Sequence, residues 1–310
     1  MFQLKGTVKQ ITIMVFMVMG MLVFLGSMAG AKDISDKLTI PKADESQIVT
    51  LKDGTQLVGR ITKIEAENIT FESQLGETTL AIDTIIDVKV ISKSAMKGGS
   101  YWFPNPNRTR LYMAPTGHTL KAGTGYFADV YIFFPSIAYG LTNNITLSGG
   151  MSIFPGVDIS NQLLYLNPKI GFNVKENLDV AASALIIRLP DIGDIGDIDI
   201  DDDPIEIGIL FGTATYGSED KSLTAGLGFG FAQGDIADKP AVLLGGEYRF
   251  SRRVSFVSEN WVFPEVDQPL LSYGLRFFGE SLAVDLAFFN VLDDDAIFPG
   301  IPYIDFVWNF

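Results

Sequence analysis

Residues 222–231 read SLTAGLGFGF, and their alternation decides the fold. Leu223, Ala225, Leu227, Phe229 and Phe231 fall on one face of an extended chain, with Ser222, Thr224, Gly226, Gly228 and Gly230 on the other, because successive side chains of a strand point to opposite sides. The pattern recurs. In 164–174, Leu164, Leu166, Ile170, Phe172 and Val174 oppose Tyr165, Asn167, Lys169 and Asn173. In 271–277, Leu271, Tyr273, Leu275 and Phe277 oppose Ser272, Gly274 and Arg276, and in 282–288, Leu282, Val284, Leu286 and Phe288 oppose Ala283, Asp285 and Ala287. Strands of about ten residues, apolar on one face and carrying charges on the other, are the pattern of a barrel with lipid outside and polar groups inside.

Working outward from these strands, twelve are expected, near 108–114, 124–142, 145–154, 163–175, 178–189, 205–216, 222–233, 240–251, 253–263, 269–278, 281–291 and 301–310. Tight turns at Asn143-Asn144, Glu176-Asn177, Ser218 to Lys221, Ser251-Arg252 and Gly279-Glu280 alternate with longer connections at 115–123, 155–162, 190–204, 234–239, 264–268 and 292–300. Such sorting fits short periplasmic turns and long external loops, which a soluble sandwich has no reason to produce. Two places strain the count of twelve and leave ten or fourteen open. Alternation fails near Leu185 to Arg188, and Phe133-Phe134-Pro135 interrupts a run too long for one pass, which reads as a bulge. In the last strand Ile304, Phe306, Trp308 and Phe310 share a face. Phe306, Trp308 and Phe310 look like the terminal signal read by the bacterial barrel-assembly machinery.

The flanking segments read differently. Lys5 and Lys9 precede an apolar run from Ile11 to Leu25, and Ala29-Gly30-Ala31 offers a small-residue cleavage site, so residues 1–31 are expected to be a signal peptide and the mature chain exported. A retained membrane helix is the competing reading. Residues 47–92 form a small unit in which Asp53-Gly54 separates two alternating runs, a strong hairpin signal, with about five short strands in all. Residues 93–107, with Gly98-Gly99, Pro104 and Pro106, read as a linker before a barrel over 108–310.

Composition narrows the functions. The chain has 310 residues, 37 acidic against 23 basic, one histidine and no cysteine. A net charge of -14 argues against nucleic acid, and the lack of cysteine removes disulfides, thiolate metal sites and cysteine nucleophiles.

The opening VTLKDGTQLVGRI of the small unit resembles SH3-like or Sm-like modules. Sm-like modules often bind RNA, but Glu65, Glu67, Glu72, Glu77, Asp83 and Asp87 make this one acidic, and a periplasmic interaction or plug module is the preferred reading. The stretches RLYMAPTGHTLKAGTGYFADVYIFFPSIAYGLTNNITLSGG, LLSYGLRFFGESLAVDLAF and IFPGIPYIDFVWNF resemble a family of uncharacterised outer-membrane β-barrel proteins of Gram-negative bacteria. The resemblance implies location and fold, not a reaction.

Alternation directs Lys169, Asp179, Glu247, Arg249, Glu259, Arg276, Asp285 and Asp305 into the lumen. Two readings follow: the charges pair across strands and fill the interior, or they line a water channel. Tyr126, Tyr139, Trp261, Phe263, Phe298, Tyr303, Trp308 and Phe310 are expected at strand ends as interfacial girdles. Asp191, Asp194, Asp197, Asp199, Asp201, Asp202 and Asp203 crowd the loop 190–204; a Ca²⁺ site is chemically reasonable, but without EF-hand spacing a solvated, self-repelling loop is the reading taken. Asp293, Asp294 and Asp295 read as loop surface charge. His118, on an expected external loop, lacks a nucleophile motif, so no catalytic residue, metal or cofactor is assigned.

The resulting expectation is an all-β chain: an antiparallel transmembrane β-barrel of about twelve strands, preceded by a small SH3-like module held in the periplasm. Its function is expected to be passive passage or binding of a small solute through the lumen. A sealed structural or interaction barrel is the alternative, and an outer-membrane hydrolase the least favoured. Its partners are expected to be outer-membrane lipid, the barrel-assembly machinery and, where the lumen admits one, that small solute, with no nucleic acid.

Overall fold

The structure is a computed structural model that describes residues 34–189, 205–264, 266–291 and 298–310. The expected signal peptide, the Asp-rich loop 190–204 and Asp293, Asp294 and Asp295 lie outside the described residues. No described helix is long and apolar enough to cross a membrane, which says nothing of strands. The chain divides into two compact units, Met1–Pro104 and Asn105–Phe310.

The first unit is a five-stranded antiparallel sheet of β1 (Glu45–Leu51), β2 (Gln56–Ile64), β3 (Asn68–Ser73), β4 (Gly76–Ala81) and β5 (Ile85–Ser92), in the order β4-β3-β2-β1-β5. Val49, Ile61, Ile69, Phe71, Ile85 and Val88 form its core. Gly54 takes φ +84° in the turn joining β1 and β2, a conformation in which glycine suffers no Cβ penalty. Beside it the Asp53 carboxylate accepts a hydrogen bond from Thr55 N at 2.8 Å, which holds that carboxyl below the usual carboxylate range. Gln47 is the one polar side chain in the centre, and both its ends are used: Nε2 donates to Thr39 O at 2.7 Å and Oε1 accepts from Ile61 N at 2.9 Å. Two-residue strands β6 (Met96–Lys97) and β7 (Ser100–Tyr101) pair with each other near the end of the unit.

The second unit is a closed barrel of twelve strands. They are β8 (Gly125–Val130), β9 (Phe134–Gly140), β10 (Ile145–Met151), β11 (Leu164–Lys175), β12 (Leu178–Arg188), β13 (Glu206–Gly217), β14 (Lys221–Ala232), β16 (Ala241–Ser251), β17 (Val254–Val262), β18 (Leu270–Phe278), β19 (Leu282–Val291) and β20 (Ile301–Asn309), with β15 (Asp235–Ile236) a short addition paired to β14. Each wall strand pairs antiparallel with its sequence neighbours, and β20 pairs with β8 to close the circle. Closure leaves no strand edge among the twelve.

The count of twelve survives through two compensating departures from the sequence expectation. Residues 108–114 form no wall strand; Arg110 and Pro115 make only an isolated bridge. The long run 124–142 holds two strands, since Tyr131 and Ile132 turn the chain with φ of 55° and 68°. What reads as a bulge at Phe133-Phe134-Pro135 is therefore a hairpin. The break near Leu185 to Arg188 leaves β12 continuous, in unbroken register with β13 from Leu178↔Tyr216 to Arg188↔Glu206. Polarity fails to alternate there because the lumen is apolar at that height: Leu185 packs with Ile209, Phe211, Leu243 and Trp261.

Side chains sort by face as the pleat requires. Leu223, Leu227 and Phe229 are exposed on the outer wall while Thr224 between them is fully buried. Ile304, Trp308 and Phe310 are likewise exposed and Phe306 is half-buried, while Asp305 and Val307 between them are wholly buried. Of the expected girdle, Tyr139, Phe298, Trp308 and Phe310 are exposed. Tyr126, Trp261 and Tyr303 are buried, and Trp261 and Tyr303 belong to clusters inside the barrel.

Residues 34–104, produced alone, are expected to fold cooperatively, and Phe71→Ala to cost about 3–5 kcal/mol, enough to abolish the transition of so small a core. A thermal melt followed by far-UV circular dichroism checks both.

Candidate functional site

The lumen is where the barrel departs from an empty tube. Residues 105–124 precede the first wall strand, and much of this segment is buried: Asn107 and Tyr112 at 0%, Leu111 at 1%, Ala114 at 2%. Thr116 N donates to Thr109 O and Leu111 N to Ala114 O, so residues 109–116 fold back on themselves as a narrow loop with Tyr112 and Met113 at its tip. We call this segment the plug.

Glu259 of β17 holds the tip. Its Oε2 accepts three backbone N–H groups, from Tyr112 at 2.9 Å, Met113 at 3.0 Å and Ala114 at 2.9 Å, while its Oε1 accepts Trp261 Nε1 at 2.9 Å. Successive N–H groups converging on one anion form a concave donor nest, which suits a carboxylate removed from water.

Arg276 of β18 ties wall to plug. Its Nε and Nη2 grip Asp285 of β19 in a bidentate pair at 2.7 and 2.8 Å, and its Nη1 reaches Glu247 of β16 at 2.9 Å. The remaining two donors go to plug carbonyls, Asn107 O at 3.0 Å and Leu111 O at 2.5 Å. All five guanidinium N–H groups are thus engaged, at 0% exposure.

The plug returns the arrangement with its own cation. Arg110 places Nη2 2.5 Å from Asp305 of β20 and Nη1 2.5 Å from Tyr112 O. Tyr303 donates its hydroxyl to the same Asp305 oxygen at 2.9 Å. On the opposite wall, Lys169 of β11 donates to Thr109 O at 2.8 Å. Below it Gly117 N donates to Thr215 Oγ1 and Leu120 N to Thr146 Oγ1. Thus strands β10, β11, β13 and β16 to β20 all take part in holding the plug.

Small wall residues make room for it. A Cβ at Gly245 would lie 2.4 Å from Leu111 Cδ1, and one at Gly140 would lie 2.2 Å from Lys121 O. Gly171 approaches Thr119 Cγ2 in the same way, at 2.9 Å. Apolar packing completes the seal. Leu111 and Tyr112 join Val257, Ala287, Phe289 and Tyr303, and Ala114 joins Phe211, Ala241, Leu243 and Trp261.

The eight charges that alternation directs inward are thereby located. Lys169, Glu247, Glu259, Arg276, Asp285 and Asp305 gather around the plug. Asp179 and Arg249 sit at the short-turn rim, where Asp179 meets His118 Nδ1 at 3.2 Å and Arg249 meets Asp220 at 3.6 Å. His118 lies at that same rim, in the segment before the first wall strand. Its Nε2 lies 3.3 Å from Arg108 Nη2, which in turn pairs with Glu219 at 3.1 Å. Sequence reasoning missed Arg108, Arg110 and Tyr112 because it spent 108–114 on a wall strand. The signal was present: Pro104 and Pro106 before the segment and Pro115-Thr116-Gly117 immediately after it disfavour a continuous ladder.

No family model matches the chain, and no curated protein matches it. Among solved structures, the chain is similar to a loop-deletion variant of OmpT, an outer membrane protein of Vibrio cholerae, with 12% identity over 86% of this chain and 96% of that one, at a TM-score of 0.33. It is also similar to a mutant of the Rhodopseudomonas blastica porin, at 11% identity, 86% and 98% coverage and a TM-score of 0.32, and to Salmonella typhi OmpF in complex with daunomycin, at 10%, 86% and 95%, and 0.31. Identity and TM-score at this level identify no relative.

Replacing Arg276 by Ala leaves Asp285 and Glu247 facing each other without their shared cation, and a loss of about 3–5 kcal/mol is expected. Urea unfolding of the refolded protein in detergent micelles measures it. Arg276→Lys, with three donors in place of a planar five, is expected to recover only part of the loss.

Proposed function

We propose that this protein is an outer-membrane barrel whose lumen is closed at rest by its own plug. The observation that carries the reading is the buried plug, held by two wall ions, Glu259 and Arg276, and packed against aromatic side chains. An open channel has no need of a segment whose central residues are excluded from water. The outer wall supports the membrane part. Exposed Leu210, Leu227, Leu244, Phe256, Leu275 and Leu286 stand on six different strands, and so continuous an apolar band needs lipid against it.

The rims support an orientation. Connections at 141–144, 176–177, 218–220, 252–253 and 279–281 are short and lie on the rim where β8 begins and β20 ends, while those at 152–163, 189–205, 233–240, 263–269 and 292–300 are longer and lie on the other. The hairpin at 131–133 is the one short connection on the longer rim. Short turns belong on the periplasmic side, which supports reading the N-terminal sheet as a periplasmic, SH3-like interaction module. Residues 1–31 serve as the export signal. Phe306, Trp308 and Phe310 present the assembly signal on the last strand. The role is structural or interactive rather than enzymatic. The His118 ring faces Asp179 and Arg108, and the contact of this residue with a hydroxyl, Thr116 Oγ1, is made by its backbone N–H.

Full-length mature protein refolded into planar bilayers is expected to insert without conducting. Stable conductance steps from the unaltered chain would replace this reading with constitutive solute passage. In the same preparation, Leu227→Arg on the outer band is expected to cost about 2–4 kcal/mol, against less than about 1 kcal/mol for Lys221→Arg at the rim.

A further inference from the structure

We infer that the lumen beneath the plug is a latent cation pathway, with the plug's arginines standing where passing cations would bind. The inference rests on the closed-barrel reading and adds what the barrel does when the plug leaves. Among the described residues, the eight inward charges comprise five acids and three bases, a balance of two negative charges. The plug brings two arginines into contact with the barrel, Arg110 on Asp305 and Arg108 on Glu219 at the rim, while its third cation, Lys121, is exposed. The wall alone is acidic, and Arg110 of the plug offsets part of that charge.

The pairing shows which groups its withdrawal uncovers. Arg276 keeps its wall carboxylates, Asp285 and Glu247, whether the plug is present or absent. Asp305 and Glu259 do not keep theirs. The cation on Asp305 is Arg110 of the plug, at 2.5 Å, and its wall partner is only the Tyr303 hydroxyl. Glu259 Oε2 is satisfied by three plug N–H groups, leaving Trp261 Nε1 as its wall donor. Two wall carboxylates therefore lose their plug partners together, Asp305 a guanidinium and Glu259 a nest of three N–H donors. Glu247 Oε1 and Asp305 Oδ1 are already buried acceptors without a hydrogen bond in the structure. On the wall side, the cation set free is Lys169, which loses Thr109 O. Carboxylates lining a low-dielectric passage concentrate cations and exclude anions. The preferred ligand class is accordingly a small inorganic cation or an organic ammonium or guanidinium ion.

The test compares the unaltered chain with two opened forms under a KCl gradient. One lacks residues 108–118. The other carries Ala114→Trp, which overfills the packing around Phe211, Leu243 and Trp261 and expels the tip. The chain has no cysteine, so Ser255→Cys, buried on β17 facing the lumen, reports opening through its rate of reaction with a charged thiol reagent. Both opened forms are expected to conduct, with potassium preferred over chloride by about threefold or more. Added Asp305→Asn and Glu259→Gln are expected to erase that preference, and spermine to block the current. Chloride preference, absence of preference, or silence from an opened form whose Ser255→Cys thiol reacts readily would overturn the inference. Conductance by the unaltered chain would instead sink the closed-barrel reading. If the deletion form does not refold, the Ala114→Trp form decides alone.

Discussion

One guanidinium joins the two halves of this lumen. Arg276 sits on the wall with no exposure to water, and taking such an ion out of water costs several kcal/mol before any partner is counted. The barrel meets that cost with two carboxylates, Asp285 of β19 and Glu247 of β16, and the plug meets it with two carbonyls. Neither set alone uses all five donors. The wall register places Arg276 directly opposite Asp285, and Asp285 opposite Asp305. Arg110 of the plug then caps that row. Plug and barrel are thus parts of a single electrostatic arrangement, and the plug's position follows from where the wall charges stand.

The same arrangement explains why the interior resembles the core of a soluble protein. Ala287, Phe289, Tyr303, Leu243 and Trp261 face inward and pack with Leu111, Tyr112 and Ala114 of the plug. Glycines at 140, 171 and 245 lower the wall so that plug backbone can approach it. Apolar contacts supply the bulk of the packing, and the few ions determine its register, since a shift of the tip by one residue would strand Glu259 without its donor nest.

Much of this was legible residue by residue. Period-two alternation assigns side chains to faces without reference to neighbours, so the strand from Leu282 to Val291 carries its own inside and outside. It also carries information that aromatic-girdle reasoning overlooked. Trp261 lies two residues from Glu259 and Tyr303 two from Asp305, so each shares the inward face of its acid. The segment 108–114 shows the opposite case. Its alternating RTRLYMA looks like a strand, but a short alternating run does not say whether it will join a ladder or lie across one. Closure of β20 onto β8 decides that, because once β8 and β9 occupy the run 125–140 the circle is complete and the preceding residues have no place in the wall.

By itself the sequence determined the period, the approximate strand lengths, the alternation of short and long connections and the side on which each charge stands, since all of these are properties of local runs of residues. The tertiary structure alone decided that the lumen is occupied. Occupancy depends on contacts such as Arg276 with Asn107 and Glu259 with Tyr112, which are separated by 169 and 147 residues. No local pattern encodes a pairing at that range. It exists only once the circle of strands brings the acids and the arginine to face one space, and a segment carrying two arginines and a row of free backbone N–H groups lies beside it.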